Sequence, residues 1–194
     1  MRRFILSLAV ISAMGSFTAS SLRAQDHSDL ANAVIEACAG TESISCDFIQ
    51  TRHLSLVNGE VISKGRMHYG KPDTLVWEYI SPEPLSFEMK GSEVTVRRKG
   101  SVQSSDASGN RMYRELTNML LGAVSGRLMA DGKLFATEYS SRDGYTVVKM
   151  RPKKGDLKKM WNSMTMYFDE KSMKAVKIEI DETSGDSTTI EFRY

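Results

Sequence analysis

The side chains most able to do chemistry in this sequence are three histidines, two cysteines and scattered serines, and none of them falls into a catalytic spacing. His27, His53 and His68 have no carboxylate or cysteine partner at motif spacing. The sequence has no G-x-S-x-G elbow, no phosphate-binding loop, no G-x-G-x-x-G and no H-E-x-x-H. We therefore expect a protein that is not an enzyme and that needs neither a catalytic metal nor a cofactor.

The two cysteines, Cys38 and Cys46, lie close together near the N-terminal end of the predicted domain. In an oxidising compartment they could pair as one local disulfide, but free buried cysteine is equally common. Their spacing, with no histidine cluster nearby, argues against a zinc site. The sequence leaves both the paired and the free state open.

The N-terminus has the order of charge, apolar core and small residues that is typical of a secretory signal. Arg2 and Arg3 precede the apolar run Phe4–Met14, which is well short of the roughly 18 to 20 residues of a membrane-spanning helix. We expect cleavage after Ala24, with cleavage after Ser21 as the competing choice. Residues 1–24 are then a signal peptide, and residues 25–194 form a single domain with a sizeable core.

The predicted leader also carries much of the positive charge. The whole chain has a formal charge of +2, and removing the three arginines of the leader leaves 23 basic against 24 acidic side chains. A basic surface for nucleic acid is therefore not expected. No cysteine near the cleavage site could carry a lipid, so we expect a soluble, monomeric periplasmic protein.

Hydrophobic periodicity predicts one helix followed by many strands. After Ser28, a possible N-cap, apolar residues recur at helical spacing as far as Gly40, at Leu30, Ala33, Val34, Ala37 and Cys38. The period then changes to two in segments 44–48, 61–69, 75–79, 85–90, 94–96, 134–139, 145–151, 160–169, 175–181 and 187–194. The predicted fold class is mostly β: a large curved antiparallel sheet of about ten or eleven strands with helices packed on one side.

Methionine is frequent, with twelve residues in the chain, and many of them fall on the predicted inner face of the sheet. Methionine suits surfaces that accept variable apolar shapes, although ordinary core filling is the simpler interpretation. A curved sheet too wide to be filled by its own side chains would favour a ligand cavity. We expect the wall of that cavity to comprise Phe48, Met67, Tyr69, Leu75, Trp77, Tyr79, Phe87, Met89, Met164, Met166, Phe168 and Ile178.

The middle of the chain is the best candidate for a movable element. Met112, Leu116, Met119 and Leu120 recur at helical spacing before a glycine-interrupted stretch. We expect these four residues to form a lid over the sheet when it is empty and to move aside on loading.

Several segments resemble the LolA-type carriers of outer-membrane lipoproteins. ISCDFIQ at 44–50 resembles the first strand of that family, and GRMHYGKPDTLVWEY at 65–79 resembles its most characteristic segment. The C-terminal stretch from Gly155 to Phe192 is similar to the paired strands of the family, which end in a Gly-Asp-x-Thr turn. The resemblance spans nearly all of the predicted domain.

The resemblance implies an unclosed antiparallel β-barrel with helices covering its concave face. Its cavity would take the acyl chains of a lipoprotein released by an inner-membrane ABC transporter and carry them towards an unidentified outer-membrane acceptor. Lys71 matches the family's basic lid-locking residue before a proline, and Leu75 matches its cavity aromatic. Lysine replaces arginine there and cannot form a bidentate fork.

Two other functions fit parts of the sequence. A soluble periplasmic sensor of lipids or lipoproteins could use the same scaffold without shuttling cargo. A lipid hydrolase would need a nucleophile and a base, for which the sequence offers no motif.

Overall fold

The computed structural model describes residues 18–106, 122–130 and 132–194. Helix α1 spans Thr18–Gly40, α2 spans Arg127–Ala130 and α3 spans Gly155–Met160. The remaining elements are strands: β1 Ser43–Leu54, β2 Gly59–Gly70, β3 Thr74–Ser81, β4 Leu85–Lys90, β5 Glu93–Arg98, β6 Ser101–Asp106, β7 Phe135–Arg142, β8 Tyr145–Pro152, β9 Trp161–Asp169, β10 Ala175–Glu182 and β11 Ser187–Arg193. The four predicted lid residues, Met112, Leu116, Met119 and Leu120, lie outside the described residues.

All eleven strands belong to one sheet, in the order β6-β5-β4-β3-β2-β1-β11-β10-β9-β8-β7. Each pair of neighbours is antiparallel, and every pair except β1 and β11 is consecutive in the chain. The first and last strands therefore join two meanders, with Phe48 opposite Phe192 in the register. Strands β6 and β7 form the two edges, so the sheet is unclosed, as the sequence predicts.

Alternation along the strands places one apolar face of the sheet inward. In β2, Met67 and Tyr69 are buried while Arg66 and His68 are exposed. The inward side chains form two core clusters, one on each meander, and Ile178 of β10 packs against both. The inner face is thus continuous across the junction of the two halves.

The prediction is wrong at some element boundaries and faces. Helix α1 begins at Thr18, ten residues before Ser28, because no glycine or proline interrupts the polar stretch between them. Ala33, expected on its apolar stripe, is exposed, and Ile35 packs on the core instead.

The single turn of α2 is not predicted, and neither are two elements that lack an apolar face. Strand β6, SVQSSD, lacks apolar alternation because it is an edge strand with exposed side chains. Helix α3 is a short polar helix, none of whose residues is fully buried. Neither segment therefore leaves a hydrophobic signal in the sequence.

Candidate functional site

An apolar cavity of about 500 Å³ lies on the inner face where the two meanders meet. Its floor is formed by β1, β2 and β3 from one half and by β9, β10 and β11 from the other. Helix α1 and residues 123–124 also contribute to its wall. The apolar side chains of the floor are Ile44, Met67, Leu75, Trp77, Met164, Met166, Phe168, Ile178, Ile180, Ile190 and Phe192.

The structure places all twelve predicted wall residues on the inner face, but only seven of them line this cavity. These seven are Met67, Leu75, Trp77, Met164, Met166, Phe168 and Ile178. The other five pack in or against the core of the first meander, and they are Phe48, Tyr69, Tyr79, Phe87 and Met89. The alternation of apolar and polar residues identified the inner face of the sheet. It did not identify which residues of that face line the cavity and which are covered by other side chains.

Aromatic packing explains why Phe48 and Tyr79 are part of the core. The ring of Phe48 lies 4.4 Å from that of Trp77 and 5.4 Å from that of Tyr79, centroid to centroid. The hydroxyl of Tyr79 donates to Gln50 Oε1 at 2.9 Å, and burial raises its pKa. Phe48 therefore packs against both Tyr79 and Trp77, and of these three rings Trp77 lines the cavity.

The sequence prediction missed part of the floor and the whole rim. Ile44, Ile180, Ile190 and Phe192 line the cavity and lie on the same strand faces as predicted wall residues. The alternation that identified Phe48 and Ile178 could have found them. The rim residues are polar or lie in turns, and no such signal marks them.

A rim of mostly polar residues borders one end of the cavity. It contains Thr41, Ser43, Ser45, Ser172, Lys174 and Tyr194. The ammonium of Lys174 lies 4.7 Å from the ring centroid of Tyr194, whose hydroxyl donates to the carbonyl oxygen of Ala175 at 2.7 Å. Partial desolvation raises the pKa of the Tyr194 hydroxyl, although the side chain is 48% exposed. This hydroxyl is a neutral hydrogen-bond donor at neutral pH. An amphiphile could place its tail on the floor and its polar group here.

Helix α1 and residues 122–130 cover the second half of the inner face. Val34 and Cys38 of α1 pack in one cluster with Ala123, Leu128 and Met129. Gly126 makes this contact possible, because a Cβ there would lie 2.9 Å from the Cβ of Cys38. Its φ of +76° also favours glycine.

Lys71, which directly follows strand β2, is held by Glu42, which directly precedes strand β1. Its ammonium lies 2.7 Å from Glu42 Oε1, and its backbone N–H donates to the Glu42 carbonyl at 2.9 Å. The ion pair connects the end of β2 to the α1–β1 connection. Any contact of Lys71 with the predicted lid falls outside the described residues, so its locking role stays a prediction.

Cys38 and Cys46 are free and buried. Desolvation by burial raises the pKa of each thiol to about 11. Of the two open states, the structure has the unpaired one. Across 18–106, 122–130 and 132–194, no cluster of three or more His, Cys, Asp or Glu side chains could hold a metal ion.

Two other grooves, of about 460 and 570 Å³, are lined by both charged and apolar side chains. In the first, Ser45 Oγ and His68 Nδ1 lie 2.8 Å apart. In the part of the chain that the structure describes, no carboxylate is hydrogen-bonded to His68. The apolar cavity is therefore the better candidate for a binding site.

The chain is similar to several solved structures of bacterial proteins, each at low sequence identity. A LolA superfamily protein from Nitrosomonas europaea is 10% identical with a TM-score of 0.42, covering 84% of this chain and 91% of that one. The lipoprotein LppX from Mycobacterium tuberculosis is 14% identical with a TM-score of 0.47, covering 91% and 95%. A chain of the Pseudomonas aeruginosa MucA/MucB complex is 15% identical with a TM-score of 0.49, covering 86% and 55%.

None of the curated proteins compared matches the chain in sequence. No helix within the described residues is long and apolar enough to cross a membrane. The family model described as outer membrane lipoprotein carrier protein LolA matches residues 39–194, from the end of α1 through the whole sheet. The chain therefore belongs to the LolA family.

Proposed function

We propose that this protein is a periplasmic carrier that binds the acyl chains of lipoproteins in the concave cavity and shuttles them from the inner membrane towards the outer membrane. It performs no chemistry on its cargo. The single observation that carries the proposal is the apolar cavity at the junction of the two meanders, bordered by a polar rim. Membership of the LolA family supports it independently.

Transfer free energy explains why such a cargo needs a carrier. Each methylene withdrawn from water contributes about 0.8 kcal/mol, so three acyl chains with some forty methylenes disfavour the aqueous state by roughly 30 kcal/mol. The apolar floor replaces water around the chains during transit.

The volume of the cavity indicates that loading requires a change of shape. A methylene is similar in size to a water molecule, at about 30 Å³, so 500 Å³ takes on the order of seventeen methylenes. That is about one acyl chain. A triacylated cargo therefore needs a wider opening, and we propose that the predicted lid residues 112–120 move to provide it.

Release requires that binding be moderate. Met67, Met164 and Met166 line the floor, and flexible thioether side chains adapt to chains of different length without fitting one of them rigidly. The rim hydroxyls and Lys174 leave one end of the cavity compatible with water. Cargo then reaches the protein from an inner-membrane ABC transporter and leaves to an acceptor at the outer membrane.

Ile178→Glu tests the proposal, because Ile178 lines the cavity and is only partly buried. An unpaired carboxylate on the apolar floor should weaken binding of a fluorescent acyl probe by at least about tenfold. Val102→Glu is the matched control, since Val102 is 63% exposed on edge strand β6. Thermal denaturation should show that both variants are folded.

Equal probe affinity in the wild type and in Ile178→Glu would contradict the proposed site. Turnover of a lipid ester by the purified protein would contradict the absence of chemistry. A stable complex with a signalling protein, formed only when lipid is bound, would favour the sensor function over the carrier.

A further inference from the structure

Three connections come together at one end of the sheet. Ser55 Oγ, in the β1–β2 turn, lies 3.3 Å from the carbonyl oxygen of Ser184 in the β10–β11 turn. Thr183 Oγ1, in the same turn, donates to the carbonyl oxygen of Lys159 in α3 at 2.6 Å. We call this surface the hairpin end and define it by the residues Ser55–Ile62, Thr183–Asp186 and Lys153–Met160.

The hairpin end exposes aliphatic side chains where turns normally carry polar ones. Leu56 is 96% exposed and Val57 is 70% exposed. Ile62 and Met160 are also exposed large apolar residues of the same end. Single exposed aliphatic residues are common, but a cluster of them on one end indicates a contact surface.

The protruding turn is held in place. The backbone N–H and the hydroxyl of Ser55 both donate to Asp186 Oδ1 at 2.9 Å. The next residue, Leu56, is therefore presented from an anchored position, so its exposure is built into the fold.

Four lysines lie on the α3 side of the hairpin end. Lys153, Lys154, Lys158 and Lys159 lie in or beside α3, where the one acid, Asp156, accepts from Lys159 at 3.3 Å. Lys154 and Lys158 form no ion pair with any of the described residues. The carboxylates of the β10–β11 turn are already engaged, because Arg52 contacts Glu182 and Asp186 at 3.4 and 3.3 Å. Glu60, in the β1–β2 hairpin, is a further exposed acid. Four lysines therefore stand against three acids in the hairpin end, and its small surplus of positive charge lies on the α3 side.

We infer that the hairpin end docks on the surface of an anionic phospholipid bilayer. Leu56 and Val57 enter the boundary between headgroups and acyl chains, and Lys154 and Lys158 contact lipid phosphates. Exposed aliphatic residues with lysines on one side suit a membrane interface. A protein interface would be expected to carry aromatic or arginine anchors.

The location connects docking to the cavity. Ile180 lines one end of the cavity and is three residues from Thr183, a distance of about 10 Å along a strand. Docking brings that end of the cavity close to the bilayer. The docking itself needs no cargo, whereas its use in lipid transfer rests on the proposed function.

Flotation with vesicles tests the inference, using protein purified from the periplasm of cells that express the full chain. The wild type should float with vesicles of phosphatidylethanolamine and phosphatidylglycerol. Leu56→Ser combined with Val57→Ser should reduce the partition coefficient by about tenfold or more, because both side chains lose their apolar contact with lipid. Lys154→Gln and Lys158→Gln should each reduce it by about fivefold, and only for anionic vesicles.

Val102→Ser and Lys99→Gln are the matched controls, since both positions are exposed and lie on or beside edge strand β6. They should float like the wild type. The Leu56/Val57 variant should keep its affinity for a soluble acyl probe, which separates a failure of docking from a failure of cargo binding. Vesicle binding unchanged by the Leu56/Val57 substitutions, or wild type that binds a protein partner there but no vesicles, overturns the inference.

Discussion

Among single residues, Phe48 has the central place in the core of the first meander, where its ring contacts Trp77 and Tyr79. It lies over Gly65, its partner in the β1–β2 register, where a Cβ would approach the Phe48 Cζ atom at 2.5 Å. The same Cβ would also clash with the carbonyl oxygen of Glu78, which belongs to the backbone and cannot turn away. Glycine at position 65 is therefore required by packing.

Gly65→Ala is expected to destabilise the protein by about 1–3 kcal/mol, because overpacking must displace either the ring or strand β3. Chemical denaturation of the purified protein measures this loss. Gly70→Ala in the same strand is the control, since its nearest contact would be an ordinary 3.6 Å from His68. If the two variants are equally stable, the packing argument is wrong.

The buried thiols predict how stability depends on pH. Their pKa is raised from an ordinary value of 9.0 to about 11, so between these values the folded state holds protons that the unfolded state has released. The free energy of unfolding should therefore fall as the pH rises from 9 towards 11.

Denaturation at pH 8, 9 and 10 measures this dependence. Tyrosines whose pKa is also raised, such as Tyr79, Tyr139 and Tyr194, add to it in both proteins compared, so the difference between the two reports on the thiols. The double variant Cys38→Ala and Cys46→Ala should lose less stability over the same range. An identical slope in both proteins would contradict burial of the free thiols.

The identity of the inward residues could be predicted from the sequence, but the extent of the cavity could not. Alternation alone places Met67 and Trp77 on the inner face. Whether such a residue is covered depends on the aromatic cluster around Phe48 and on the position of α1, which are set by contacts between distant parts of the chain. Tyr69 and Met89 were therefore expected in the cavity wall and lie in the core.

At the scale of elements, the contact between α1 and residues 122–130 determines how the second half of the inner face is covered. Gly126 lies against Cys38 and the backbone of Ile35. Helix α1 also contacts strand β7. Since α1 lines the cavity through Ala37, Cys38 and Thr41, its attachment sets one wall of the site.

Gly126→Ala should loosen this attachment, because the added methyl group meets the Cys38 Cβ at 2.9 Å and the residue has a positive φ. At pH 8 the Cys38 thiol should then react with iodoacetamide faster than in the wild type, about tenfold for each ~1.4 kcal/mol of local stability lost. Cys46 provides an internal reference in the other core cluster, and peptide mass spectrometry separates the two.

Gly132→Ala is the control variant, because a Cβ there has no neighbour within 4 Å. Its Cys38 labelling should match that of the wild type. Unchanged labelling of Cys38 in Gly126→Ala would mean that this glycine does not hold the helix.

Elements with a hydrophobic period were the predictable ones. The strands from β7 to β11 lie within a few residues of their predicted bounds because their inner faces are apolar. Edge strand β6 and helix α3 are stabilised by backbone hydrogen bonds and by contacts with neighbouring elements, and they bury few side chains of their own. The pattern of hydrophobic residues alone therefore cannot reveal them. The start of α1 was predicted wrongly because Ser28, although a suitable N-cap residue, is also tolerated inside a helix, and the residues before it continue the helix.

At the scale of the whole molecule, the cavity depends on one pairing between the two ends of the sheet. Strand β1 meets β11 through seven residue pairs, beginning at Asp47 and Arg193. The cavity spans this junction, with β1–β3 on one side and β9–β11 on the other. The sequence predicts a large curved antiparallel sheet, but a pairing separated by well over one hundred residues has no local signal.

The central claim is that this junction holds the acyl chains of a lipoprotein, and native mass spectrometry tests it most directly. Protein released gently from cells should carry an added mass equal to an acylated lipoprotein. Ile178→Glu, prepared in the same way, should carry much less of it, and Val102→Glu should match the wild type. A single peak at the mass of the protein alone, in wild type and both variants, would contradict the account.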